Sequence, residues 1–188
     1  MDIKIFSDLI DALSKVTYAL KAAAALPKAE REQYRQVVGQ SYQLLDTTLG
    51  MIAIRLGDIL LPASQPTFID EVAKLDNCPE WIRIEREFRM CLSLRAALSE
   101  INHFSGKLKA QVSVHDIDAL IEMMERTTAT EGDIAGFISE RFRGLASEAC
   151  TPGVDIAKLR GEVTSFREAL LSERRRLIRA EADLYEIA

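Results

Sequence analysis

The sequence predicts an all-α protein, an elongated antiparallel helical bundle of five long helices and one short helix, and three observations carry that prediction. Apolar residues recur every seven positions through most of the chain, the spacing that lines one helical face for packing against another helix. Hydrophobic residues make up 48% of the chain but aromatics only 6%, which suits helices packed by Leu, Ala, Ile and Met better than aromatic-rich strands. Four of the five prolines fall between the periodic stretches, where a residue without a backbone N–H ends a helix.

At 188 residues the chain is expected to form a single domain, residues 1–188, with helices at about 2–25, 28–61, 68–75, 79–112, 114–149 and 154–187. That length can bury a core without disulfides or metal. The first helix places Phe6, Leu13, Leu20 and Leu9, Val16, Ala23 in heptad spacing and ends before Pro27. The short link that follows demands an antiparallel hairpin with Val16 against Val38 and Leu9 against Leu45.

The second helix carries two interleaved series, Tyr42, Leu49, Leu56 and Val38, Leu45, Ile52, Ile59. Leu44, Met51 and Ile54 point elsewhere, and a helix apolar on several sides is expected at the centre. Gly39, Gly50 and Gly57 fall in one narrow sector with Ala53. Since each helical glycine costs about 1 kcal/mol against alanine, that strip predicts the close approach of a neighbouring helix backbone.

Residues 62–79 form the one irregular connection. A short helix is expected from Phe68 to Leu75, capped by Thr67 with Asp70 three residues on, and Phe68, Ile69, Val72 and Leu75 should plug one end of the bundle. The fourth helix turns Trp81, Ile84, Phe88, Cys91, Leu94, Leu98, Ile101 and Leu108 inward, and Arg95 and Asn102 share that face. Ser113 caps the fifth helix, whose weak stretch at 127–133 leaves the heptad phase intact and so predicts one bent helix. The hairpin register sets Arg95 against Glu131, a buried polar layer in which the two charges satisfy each other.

Thr151-Pro152-Gly153 makes the last turn. The sixth helix has the strictest repeat, with Ile156, Val163, Leu170, Leu177, Leu184 in one series and Leu159, Phe166, Ala180, Ile187 in the other, interrupted by Glu173. A further stripe, Leu171, Ile178 and Tyr185, exceeds what one intramolecular seam needs and marks a candidate interface.

Charge excludes some functions. Residues 113–150 hold 3 basic and 8 acidic side chains, and the remaining segments balance, so the net charge of −5 lies there; a broad nucleic-acid surface is not expected. The basic cluster Arg174, Arg175, Arg176 and Arg179 is flanked by Glu173, Glu181 and Asp183 and spreads around the helix, the pattern of a solvated ion-pair surface. Asp46, Arg55 and Asp58 interrupt the most apolar window, which rules out a spanning helix there. The N-terminal stretch has Asp2, Asp8 and Asp11 where a signal peptide needs an apolar core. Cys78, Cys91 and Cys150 lack metal-ligand spacing and are expected to be reduced thiols. A soluble, cytoplasmic protein is expected.

Motifs for chemistry are sparse. Glu100-Ile-Asn-His103 is a single E-x-x-H where a di-metal bundle needs two, and no phosphate-cradling or nucleophile-elbow motif is present; no metal and no cofactor is expected. One family of helical ribonucleases, the HEPN domains, carries an Arg followed after four to six residues by a His. In this chain seven residues separate Arg95 from His103, Asn102 stands at the permitted distance, and the general base is missing. The expected function is therefore non-enzymatic protein association, as a homodimer or assembly subunit. The alternative is a ligand receptor or HEPN-like ribonuclease using Arg95, Asn102 and Glu131.

Overall fold

The computed structural model describes residues 3–22, 27–77 and 134–186, and every regular element among them is helical. They are α1 (Lys4–Ala22), α2 (Lys28–Leu60), α3 (Gln65–Ala73) continued by a 3-10 turn (Lys74–Asn77), α4 (Ile134–Ala149) and α5 (Ile156–Tyr185). The fold class is all-α. Among the described residues no helix is long and apolar enough to cross a membrane.

The heptad positions become the core. Phe6, Leu9, Leu13, Val16 and Leu20 of α1 are buried, as are Val38, Tyr42, Leu45, Leu49, Ile52, Leu56 and Ile59 of α2. From α5, Leu159, Val163, Phe166, Leu170, Leu177 and Leu184 join them, each fully sealed from solvent. Burying a side chain of this size is worth about 1.5–3 kcal/mol, so the stripes rather than helix propensity hold the elements together.

α2 packs most extensively against α5, and α1 lies against both. Cross-links between them give the directions. Arg160, Arg167 and Arg174 of α5 reach Leu60, Ala53 and Asp46 of α2 in reverse order, so these two helices are antiparallel. Arg176 reaches Ser7 and Asp11, and Lys21 reaches Asp183 and Glu186, so α1 and α5 run parallel. Within the α1–α2 hairpin, the buried Tyr42 hydroxyl lies 3.0 Å from Thr17 Oγ1. Tyr42 reaches Thr17 from about 1.4 turns beyond the partner that the Val16–Val38 register gives that residue.

The helix boundaries differ from expectation chiefly at α3 and α5. The short helix begins not at Phe68 but at Gln65, with Ser64 as its N-cap and Pro66 in the first turn, and it ends at Ala73. Proline's fixed φ suits a first turn, and that preference outweighs the capping pattern at Thr67 and Asp70. Phe68, Val72 and Leu75 are nonetheless buried, and Ile69 packs on the core. The last helix starts at Ile156, because Asp155 accepts the Lys158 N–H at 3.0 Å and caps it; Gly153, at φ +75°, provides the turn before it.

α4 is the described part of the expected fifth helix, and Ile138, Phe142 and Leu145 are buried there. It packs against α3 and its 3-10 extension, where Arg143 approaches Asp76 at 3.5 Å, and against α5, where Arg141 meets Glu162 at 3.2 Å. The expected fourth helix, the start of the fifth, and the Arg95–Glu131 pairing lie outside the described residues.

Candidate interaction surface

Three arginines, seven residues apart on α5, run along α2. Arg160 donates from Nη1 to the Leu60 carbonyl at 3.0 Å and from Nη2 to the Pro62 carbonyl at 2.9 Å, while its guanidinium lies 4.3 Å from the Phe68 ring centroid. It thereby satisfies carbonyls left open at the C-terminus of α2 and places a cation where the helix dipole is negative. Arg167 Nε donates to the Ala53 carbonyl at 3.1 Å. Arg174 holds Asp46 through both carboxylate oxygens, at 2.7 and 3.1 Å, and this hydrogen bonding raises its pKa above the ordinary guanidinium value.

The glycine strip explains how these side chains fit. A Cβ on Gly50 would stand 3.2 Å from Arg174 Cζ, and one on Gly57 would stand 3.1 Å from Arg167 Nε. Guanidinium groups thus occupy the space expected for a partner backbone. At Gly39 the nearest atom is Leu184 Cδ2, at 3.6 Å, an ordinary apolar contact. Seven-residue spacing was the available signal for the arginine row, matched on α2 by the acceptor positions Asp46, Ala53 and Leu60.

The other basic residues divide between inner and outer surfaces. Arg176 turns to α1, donating to Ser7 at 2.7 Å and Asp11 at 2.6 Å, and Glu173 braces it at 2.7 Å. That accounts for the break Glu173 makes in the apolar series. Arg175 only folds back onto the Leu171 carbonyl of its own helix, at 3.2 Å.

On the outer side of the same pair of helices lies the surplus stripe. Leu171 is half-buried, whereas Ile178 and Tyr185 are 48% and 57% exposed. The neighbouring face of α2 is unusual for a helix surface: from Gln36 to Gly57 the exposed residues among the described side chains are all uncharged, namely Gln36, Gln40, Gln43, Thr47 and Ile54. Ile54 is 63% exposed. Soluble helices ordinarily put charged residues outward, so this face and the Leu171 stripe form one candidate surface along α2 and α5.

Arg95, Asn102 and Glu131, together with His103 and His115, lie outside the described residues, as do Cys78 and Cys91. Cys150 is an exposed free thiol. Among the described residues no group of His, Cys, Asp and Glu comes together as a metal site. No family model matches the chain, and no curated protein or solved structure proves similar to it.

Proposed function

We propose that the protein is a non-enzymatic helical-bundle protein of the cytoplasm that works by docking onto other helical protein surfaces, as a homodimer or assembly subunit. The observation that carries this reading is the outer face of α2 and α5, where Ile178 and Tyr185 are exposed beside a helix surface with no exposed charge between Gln36 and Gly57. Apolar residues exposed beside an uncharged helix face suit an interface better than a solvated surface. Docking there would cover Ile178 and Tyr185 together with the uncharged stretch of α2.

The test is the double substitution Leu171→Glu with Ile178→Glu, compared with wild type by light scattering and by affinity purification from the native cell. Circular dichroism reports whether the fold is kept. A folded variant that loses its associations supports the reading; a folded variant that keeps all of them overturns it.

A further inference from the structure

The outer side of α5 carries a second repeat, Glu168, Leu171, Arg175, Ile178, Ala182 and Tyr185, at alternating spacings of three and four residues. All are exposed except the half-buried Leu171. Such spacing makes a seam for one more helix. Two of its members are charged, and neither finds an ion-pair partner among the described residues: Glu168 has none, and Arg175 bonds only the Leu171 carbonyl. Separated by seven residues on the same helix, they are too far apart to neutralise each other.

Taking the docking reading above as its premise, we infer that the occupant of the Glu168–Arg175 part of this seam is a second copy of the chain, with the two α5 helices antiparallel about a dyad at Leu171 and Ser172. That dyad lies midway between Glu168 and Arg175. It sets Glu168 of each copy beside Arg175 of the other, giving two reciprocal ion pairs in an isologous contact. Arg179 then comes level with Thr164 and Ser165 of the other copy, which are uncharged. A parallel arrangement would instead set Glu168 against Glu168 and Arg175 against Arg175, and like charges reject that geometry. The uncharged outer face of α2 allows the approach, since it meets its own copy without repulsion.

The experiment uses two single charge reversals in the full chain, Glu168→Arg and Arg175→Glu, studied alone and as an equimolar mixture by sedimentation velocity. Each alone places like charges together twice across the dyad, and its dimer should be about tenfold weaker than wild type. The mixture forms heterodimers in which both pairs are opposite again, and it should recover the wild-type affinity. Recovery in the mixture also shows that both variants are folded. A monomeric wild type, single variants that dimerise as wild type does, or a mixture as weak as its components would each overturn the proposal. These failures differ from failure of the docking reading, which is decided by whether Leu171→Glu with Ile178→Glu leaves every association intact.

Discussion

Arg174 of α5 grips Asp46 of α2 through both carboxylate oxygens, at 2.7 and 3.1 Å, and its guanidinium lies in the space that a side chain at Gly50 would need. The two groups are 36% and 28% exposed, so solvent screens the attraction and the pair is worth less than a buried one. Replacing Asp46 with Asn is expected to cost about 1 kcal/mol in urea denaturation. Gly50→Ala separates two effects. In an Arg174→Ala background it should stabilise by up to about 1 kcal/mol through helix propensity. With Arg174 present the gain should largely vanish, because the added methyl pushes the guanidinium off its carboxylate, and a double-mutant cycle measures that coupling.

Arg160 caps the C-terminal end of α2. Its fork serves the Leu60 and Pro62 carbonyls together while its plane covers Phe68. Arg160→Met should cost about 2 kcal/mol, given charge-assisted bonds at a helix C-terminus. Lysine keeps the charge but lacks the planar fork, so Arg160→Lys should recover only part of the loss. Hydrogen exchange should quicken first in the last turn of α2.

Tyr42 makes stability depend on alkaline pH. Burial disfavours the phenolate and raises its pKa above the ordinary value, with the Thr17 hydroxyl partly opposing the shift. The unfolded tyrosine titrates near about pH 10. The contribution is therefore complete below that pH and is lost as pH rises from there towards the folded-state value. Tyr42→Phe should cost about 0.5–1.5 kcal/mol at neutral pH by removing the bond to Thr17. It should also flatten the fall in unfolding free energy above about pH 10, which guanidinium titrations at several pH values would reveal.

Apolar periodicity made the long helices among the described residues legible, and α2 at Lys28–Leu60 departs from its expected end by one residue. It did so because Leu45, Ile52, Leu170 and their neighbours must share a face to leave water. The start of α3 was misread because Thr67 and Asp70 imitate a capping box, although Pro66 was itself a first-turn signal. The arginine row was missed for a different reason. Arg160, Arg167 and Arg174 follow the same seven-residue rhythm as the core, but long charged side chains normally leave for solvent. Only the partner helix, with its open carbonyls, its glycines and Asp46, turns them inward. The stripe Leu171, Ile178, Tyr185 was visible as surplus, while the uncharged face of α2 beside it needed the fold to show which residues face outward.

The contacts that close α2 against α5 join residues 98 to 128 positions apart. During synthesis the α1–α2 hairpin therefore emerges long before the helix that covers its remaining apolar face. At about 5–20 residues per second that interval lasts about 5–25 s, during which Leu49, Leu56 and their neighbours have no α5 to shield them. The nascent hairpin should need shielding of its exposed apolar face, and chains cut short before α5 should partition to aggregates rather than fold into a smaller stable unit.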